Sequence, residues 1–132
     1  ALGRYILAVG SNARAALFSG VPIRTVLLFV YVASASLAGL GGVALASQLQ
    51  TGDPKLGPEY ELIAITAVVV GGTSLRGGQG RMFGTFLGAL LISVVRMGMN
   101  LIHVSSYDQM MILGAILLAA VMLDLRRDRS QR

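Results

Sequence analysis

No charged residue lies between Val26 and Leu49, and this long apolar run limits the chain to few kinds of fold. A helix that crosses a bilayer needs about 20 mostly apolar residues, because the hydrocarbon core is about 30 Å thick. Hydrophobic residues make up 55% of the 132 and charged residues 13%, whereas a soluble domain carries about 25% charged residues. The sequence therefore predicts an integral membrane protein.

Three shorter uncharged runs follow the first, and each extends into neighbouring polar residues. Together the four runs predict an all-α, polytopic membrane helical bundle of about four transmembrane helices. A short cytoplasmic segment, 1–24, precedes this transmembrane region, 25–124, and a basic cytoplasmic tail, 125–132, follows it. The four predicted spans lie near 25–48, 60–75, 82–102 and 108–124.

Basic residues fix the expected orientation of these spans. Cytoplasmic loops carry an excess of Lys and Arg, so the basic side is assigned to the cytoplasm together with both chain ends. The same distribution explains the net charge of +5 without a nucleic-acid partner. If all four spans cross, nine of the eleven basic residues fall on one side: Arg4, Arg14, Arg24, Arg76, Arg81, Arg126, Arg127, Arg129 and Arg132.

The chain has few residues for metal or thiol chemistry. It contains no cysteine, which removes disulfides, thiolate nucleophiles and Cys-based metal sites. His103 is the only histidine. The sequence predicts neither a metal site nor a cofactor, and no enzymatic activity. Since the chain begins without Met, we also expect it to be part of a longer polypeptide.

The residues before the first span predict a short helix. Asn12 can cap its start, residues 13–19 supply about two turns, and Gly20 can end it in the left-handed conformation. So short a helix needs support from other surfaces. Two interpretations stay open: a docking helix for a partner's groove, or an ordinary interfacial helix. One small, smooth face is expected from Ala13, Ala16, Leu17 and Gly20.

Local signals mark the starts of the first and last spans. Pro22 can begin the first span, because an N–H group in the first turn of a helix makes no hydrogen bond within the helix and its absence costs nothing. Ser105 with Asp108, and Ser106 with Gln109, have the spacing of a capping box before the last span.

A glycine-rich stretch, 70–81, separates the second and third apolar runs. It does not fit a phosphate-binding loop, because Gly78 and Gln79 stand where Lys and Ser or Thr are needed. It does not fit a dinucleotide fingerprint either, because Phe83 stands where glycine is needed. The glycines can end one helix and start another. A broken helix that lines a transport path and a cytoplasmic turn between spans both remain open.

Two charged residues are candidates for a transport pathway. Arg96 interrupts the third span, and Glu61 lies at the edge of the second. Intramembrane charge is costly and tends to face protein or water, although Arg96 can also extend to the interface. Small residues predict close helix approaches at Gly84 and Gly88 and along Ala38, Gly42 and Ala46.

Four stretches of the chain resemble one family, the permease subunits of ABC importers for monosaccharides of the ribose type. The most specific is Tyr60-Glu-Leu-Ile-Ala-Ile-Thr-Ala-Val-Val-Val-Gly-Gly-Thr-Ser-Leu-Arg-Gly-Gly-Gln-Gly80. The others are Gly3-Arg-Tyr-Ile-Leu-Ala-Val-Gly-Ser-Asn-Ala-Arg-Ala-Ala-Leu-Phe-Ser-Gly20, Gly84-Thr-Phe-Leu-Gly-Ala-Leu-Leu and Asn100-Leu-Ile-His-Val-Ser-Ser-Tyr107.

The resemblance implies the C-terminal portion of a bacterial inner-membrane permease. Its implied partners are a cytoplasmic ABC ATPase, a periplasmic or lipoprotein substrate-binding protein, a second permease copy and membrane lipid. Arg14 departs from the acidic residue common in relatives, so no single salt bridge to the ATPase is carried over. The implied ATPase-coupling residues are Asn12, Ala15, Ala16, Ser19 and Gly20. The implied pathway or hinge loop comprises Gly71, Gly72, Thr73, Ser74, Gly77 and Gly78.

Three other functions remain as alternatives. A permease for branched-chain amino acids shares the architecture but not the substrate. A stand-alone, proton-coupled four-span carrier would need a titratable carboxylate deep in the membrane, whereas Glu61 and Asp108 lie at span edges. A non-transporting membrane scaffold is compatible with the composition alone.

Overall fold

A computed structural model describes residues 1–55 and 57–130, and every regular element in those ranges is an α-helix. This confirms the predicted all-α class. The helices divide into two compact units, α1–α3 and α4–α6. In chain order they are α1 (Leu2–Ser11), α2 (Ala13–Phe18), α3 (Ile23–Leu49), α4 (Gly57–Val70), α5 (Met82–Leu101) and α6 (Ser106–Arg129).

Three of the helices described are long and apolar enough to cross a membrane, namely α3, α5 and α6. They cover the predicted first, third and fourth spans. The predicted second span, 60–75, corresponds to α4, which has 14 residues and ends at Val70. At about 1.5 Å per residue it is about 21 Å long, shorter than the hydrocarbon core. A fourth crossing through α4 therefore stays a prediction, and residues 131–132 of the predicted tail lie outside the described residues.

The short helix α2 is delimited by its sequence at both ends. Asn12 is extended, and its Oδ1 accepts a hydrogen bond from the Ala15 N–H at 3.1 Å, which confirms the predicted cap. Gly20 has φ +77°, as predicted. The Gly20 N–H donates to the Leu17 carbonyl and the Val21 N–H donates to the Ala16 carbonyl, both at 3.1 Å. This pair of bonds is a Schellman motif, which satisfies carbonyls that the helix end leaves open.

A small apolar cluster holds α1, α2 and the start of α3 together. Ala16, Val21 and Val26 are buried in it. Partly buried side chains of α1, including Ile6 and Val9, pack against these three residues. Pro22 precedes the first residue of α3, as predicted, and its carbonyl accepts from the Val26 N–H at 3.1 Å. α1 was not predicted from the sequence, and it supplies the support that so short a helix as α2 requires.

In the second unit, α4 is the central helix and packs against both α5 and α6. Ala67 of α4, Ile92 of α5 and Leu113 of α6 form its buried apolar cluster. Because α4 has neighbours on two sides, it is apolar around most of its circumference rather than along one stripe. Thr66 is 0% exposed, and its hydroxyl donates to the Leu62 carbonyl at 2.7 Å, so its polar group is satisfied within the helix.

Glycines bring α4 and α5 into backbone contact. A β-carbon on Gly88 would overlap the Ala67 carbonyl oxygen and would lie 2.8 Å from the Gly71 nitrogen. Gly84, one turn earlier in α5, meets Gly71 itself. Residue numbers thus rise along α5 as they fall along the facing side of α4, so the two helices run antiparallel and form a hairpin. The predicted close approach at Gly84 and Gly88 is made to a helix of the same chain.

The turn between α5 and α6 repeats the Schellman pattern without a glycine. The His103 N–H donates to the Asn100 carbonyl and the Val104 N–H donates to the Met99 carbonyl, both at 3.1 Å. His103 has φ +57°, a left-handed conformation that L-residues rarely adopt. After this turn, the Ser105 hydroxyl caps α6 by accepting from the Asp108 N–H at 3.4 Å, and it donates to Asp108 Oδ2 at 3.0 Å. Of the two predicted pairs, Ser105 with Asp108 therefore lies at the helix start, although the bond from the hydroxyl to the carboxylate differs from that of a capping box.

Candidate functional site

The five residues implicated in ATPase coupling all help to shape α2, and four of them are also exposed at its surface: Asn12, Ala15, Ser19 and Gly20. Asn12 and Ala15 are joined by the capping bond, and the Ser19 hydroxyl donates to the Ala15 carbonyl at 3.0 Å. Gly20 ends the helix. Ala16 is 3% exposed, so its methyl group faces the apolar cluster of its own unit. These residues therefore determine where the helix begins, ends and packs.

The outer surface of α2 presents two large apolar side chains. Leu17 is 61% exposed and Phe18 is 90% exposed. Leu17 belonged to the predicted smooth face, whereas Phe18 was not singled out. An aromatic residue next to a leucine in so short a helix indicates an exposed apolar surface, because a helix of two turns can bury only one of its faces. Exposed aromatic side chains are the type that anchors protein interfaces.

The glycine-rich loop is a turn between two antiparallel helices. α4 ends in a Schellman motif, in which Gly72 N–H donates to the Val69 carbonyl at 3.0 Å and Thr73 N–H to the Val68 carbonyl at 3.2 Å. Gly72 has φ +87°, which glycine adopts without steric cost. This motif is why the helix stops at Val70 instead of continuing to 75. Of the two open interpretations, the geometry favours a turn over a single broken helix.

The rest of the loop closes on itself and on both flanking helices. Gly77 and Gly78 also have positive φ, of +84° and +77°. The Ser74 N–H donates to the Gln79 carbonyl at 3.1 Å, and the Thr73 and Thr85 hydroxyl oxygens lie 3.2 Å apart. The implicated loop residues thus form one ordered structure against the start of α5.

A carboxylate that the sequence analysis missed also holds this loop. The Ser74 hydroxyl donates to Asp124 Oδ2 of α6 at 3.3 Å. Asp124 is half-buried and lies shortly before the arginines that end α6. An acidic residue just inside the end of an apolar run was the available signal. The bond links the loop between α4 and α5 to the third helix of the unit.

Arg96 lies beside an acidic residue that the sequence did not single out. Its Nη2 lies 3.9 Å from Glu59 Oε2, and its guanidinium carbon lies 5.6 Å from the centre of the Tyr60 ring. Glu61, the other candidate pathway charge, is exposed and does not line the same cavity. The structure therefore brings Arg96 to Glu59, at the start of α4, and leaves Glu61 outside this arrangement.

Arg96 lies beside a small polar cavity of about 100 Å³ at the end of the unit where α4 and α6 begin and α5 ends. The Nε2 of Gln109 donates to Asn100 Oδ1 at 2.9 Å and to the Val104 carbonyl at 3.0 Å. Gln109 is only 8% exposed. Neither carboxamide was singled out as a site residue, because only the packing of three helices brings them together. The polar lining comprises Glu59, Arg96, Asn100, Ser106 and Gln109.

These helices and their contacts define an integral, helical membrane protein with apolar helices and ordered, glycine-rich connections. A family model described as "branched-chain amino acid transport system / permease component" matches residues 1–121. The chain belongs to this family of transporter permease components. It is accordingly an integral protein of the bacterial inner, or plasma, membrane.

Individual relatives are permeases for sugars. The chain is 44% identical to the ribose import permease protein RbsC of Bacillus subtilis (strain 168) over 125 residues, which are 95% of this chain and 39% of that protein. It is 45% identical to RbsC of Escherichia coli (strain K12) over 123 residues, covering 93% and 38%. It is 38% identical to the L-arabinose transport system permease protein AraH of the same strain over 130 residues, covering 98% and 40%.

The chain thus spans about two fifths of the length of these curated relatives. No solved structure matches it significantly.

Proposed function

We propose that the chain is the C-terminal part of the permease subunit of an ATP-driven importer for a monosaccharide. The observation that carries this proposal is the 38% to 45% identity of more than nine tenths of the chain to permeases named for ribose and arabinose. The antiparallel hairpin of α4 and α5 and the ordered glycine loop supply a rigid membrane body consistent with such a role.

In the proposed assembly, ATP hydrolysis takes place in a separate cytoplasmic ABC ATPase. A periplasmic or lipoprotein binding protein delivers the sugar, a second permease copy completes the pore, and lipid surrounds it. In this assembly the permease moves passively between inward- and outward-open states. ATP binding to the partner changes the relative populations of these states.

The N-terminal segment, 1–24, is the proposed contact with the ATPase. Asn12, Ala15, Ala16, Ser19 and Gly20 form and support α2, and Leu17 and Phe18 provide its outward apolar surface. Four crossings with both ends in the cytoplasm complete the topology, so that the glycine loop and the arginines of α6 lie on the ATPase side. The half-buried bond between Ser74 and Asp124 then couples the loop to α6 on that side.

Branched-chain amino acids are the second candidate substrate class, since the matching family model carries that description. Uptake into proteoliposomes separates the two classes. The complete permease is reconstituted with its ATPase and binding protein, and accumulation of D-ribose, L-arabinose, D-allose and L-leucine is measured with and without ATP.

The proposal predicts ATP-dependent accumulation of at least one of the sugars. Accumulation of leucine alone would replace the substrate class. Uptake driven by a proton gradient without ATP would contradict the mechanism.

A further inference from the structure

A groove with apolar walls lies between the end of α4 and the C-terminal half of α6. Its volume is about 650 Å³, within the range of about 300–1,000 Å³ that small-molecule sites occupy. It forms where α6, which runs to Arg129, continues past the end of α4 at Val70. We call it the C-terminal groove. Six apolar side chains form its walls: Val69, Val70, Ile116, Ala119, Ala120 and Leu123.

Two arginines line the polar end of the C-terminal groove. Arg126 and Arg127 are both exposed, and their side chains make no ion pair or hydrogen bond with the described residues. A guanidinium stays charged at physiological pH, and its planar set of N–H donors matches the oxygens of a phosphate group. Ser130, about one turn farther along the chain, also lines the groove. These groups favour an anion that accepts several hydrogen bonds.

The charge at this end of the groove is positive although one carboxylate lies there. Asp124 lines the groove, and its Oδ2 already accepts from the Ser74 hydroxyl at 3.3 Å. Arg126 also borders a second cavity, of about 380 Å³, together with Arg76 and Arg129. In the sequence, residues 124–132 carry four arginines and two aspartates. The arginines thus outnumber the carboxylates in the groove and beside it, which favours a negatively charged ligand.

The apolar walls distinguish a phospholipid from a free phosphate ion. A free phosphate would contact the arginines alone, whereas an acyl chain would also cover the walls formed by α4 and α6. Since α6 is apolar enough to cross a membrane, we expect the walls at the depth of the hydrocarbon core and the arginines at the depth of the headgroups. Basic pockets between membrane helices bind anionic headgroups in this way.

We propose that the C-terminal groove binds one anionic phospholipid, with an acyl chain along Val69, Ile116 and Leu123 and the phosphate at Arg126 and Arg127. In the topology expected above, the groove opens to the cytoplasmic leaflet, where anionic lipids give the surface its negative potential. The site concerns the surrounding membrane rather than the transported solute, so it does not depend on which substrate class the transporter carries.

Lipid binding to the complete permease tests the headgroup contact. The delipidated permease in non-ionic detergent is titrated with phosphatidylglycerol or phosphatidylcholine, and native mass spectrometry counts the lipid molecules bound. Arg126→Gln with Arg127→Gln should weaken phosphatidylglycerol binding roughly thirtyfold, since each arginine near an anionic headgroup contributes about a fivefold factor. Arg4→Gln with Arg24→Gln is the charge-matched control, because both residues are exposed, belong to the first unit and do not line the groove.

A pair of leucines on α6 tests the acyl-chain contact. Leu123 is 63% exposed and lines the groove, whereas Leu118 is 67% exposed and does not. Leu123→Trp should fill the groove and weaken phosphatidylglycerol binding at least about tenfold, the effect of a displacement worth about 1.4 kcal/mol. Leu118→Trp should leave the Kd unchanged. Glycerol 3-phosphate, which has the phosphate but no acyl chain, should not compete for the site at equal concentration.

Several results would overturn the proposal. Equal binding of phosphatidylcholine and phosphatidylglycerol would refute a site for an anionic headgroup. Equal losses in the two double-arginine variants would show a general effect of net charge. Unchanged binding in Leu123→Trp, or competition by glycerol 3-phosphate, would refute the acyl-chain contact. Absence of bound phosphatidylglycerol from a permease that still supports ATP-dependent uptake would refute the site, as expected if another part of the transporter occupies the groove, and would leave the proposed function intact.

Discussion

A β-carbon placed on Gly84 would overlap the carbonyl oxygen of Gly71, and one placed on Gly71 would lie 2.7 Å from the Gly84 carbonyl carbon. The end of α4 and the start of α5 are thus in direct backbone contact. The loop between the two helices therefore leaves α4 and enters α5 at the same point. Because backbone atoms rather than flexible side chains meet there, the contact cannot adjust to a larger residue by a change of rotamer.

The Gly84 contact predicts a position-specific loss of stability. Gly84→Ala should lower the free energy of unfolding by about 1–3 kcal/mol, the usual effect of an added methyl group in a tight contact. Gly98→Ala is the matched control, since Gly98 lies in the same helix and has nothing within 4 Å of the added carbon. That control should be neutral or stabilising by about 0.5–1 kcal/mol. Thermal unfolding followed by circular dichroism in detergent compares the two, and equal effects would contradict the contact.

The loop glycines make a separate prediction, which depends on backbone conformation instead of space. Gly72 has open space around its α-carbon but a φ of +87°, so Gly72→Ala should cost about 1–2 kcal/mol of left-handed strain. Gly41→Ala, in α3 with equally open space and helical φ, is the control. We expect sugar uptake to fall in the Gly72 variant and to persist in the Gly41 variant. Similar uptake in both would remove the special role of the loop.

His103 occupies the position that glycine holds in the other two Schellman motifs. Its φ of +57° carries a strain that a residue without a β-carbon avoids. His103→Gly should therefore raise the thermal midpoint, through a gain of about 1 kcal/mol. His103→Ala removes the imidazole but keeps the β-carbon, so it should show no such gain. A midpoint that rises in the alanine variant alone would mean that the imidazole, rather than the backbone, is the unfavourable group.

Phe18 provides the clearest test of the proposed ATPase contact. It is 90% exposed, so Phe18→Asp should leave the subunit folded in the membrane and should uncouple ATP hydrolysis from uptake. A charge at Ala16 is a poorer test, because that residue is 3% exposed and its replacement would disrupt the cluster with Val21 and Val26. The matched control is Phe29→Ala, at a half-exposed position of α3. Phe29→Asp would not serve as a control, because it would place a charge in lipid.

The two alanine variants complete this comparison. Phe18→Ala should reduce the uptake per ATP hydrolysed, and Phe29→Ala should not. Normal coupling in both Phe18 variants would exclude α2 as the docking element.

Features set by neighbours in the sequence were predictable. The cap at Asn12, the left-handed Gly20 and the start of α6 at Ser105 each depend on a few adjacent residues, and all three are found. Features set by packing were not. The sequence shows neither that Ala16 faces inward nor that Arg96 meets Glu59, since each depends on how helices lie against one another. The cavity around Gln109 requires three helix ends at once, which no local pattern specifies.

The length of α4 is an intermediate case. The apolar run continues to Leu75, but the two glycines after Val70 allow a Schellman motif that ends the helix earlier. Whether this short helix still crosses the bilayer decides the proposed topology, because an uncrossed α4 would place the glycine loop on the opposite side from the one expected.

Cysteine accessibility in whole cells tests that topology most directly, with single cysteines at positions 53, 79, 103 and 130. A membrane-impermeant maleimide should label positions 53 and 103 in intact cells, and positions 79 and 130 only after permeabilisation. Labelling of 53 and 79 from the same side would show that α4 does not cross the membrane, and labelling of 130 from outside would reverse the orientation on which the ATPase contact depends.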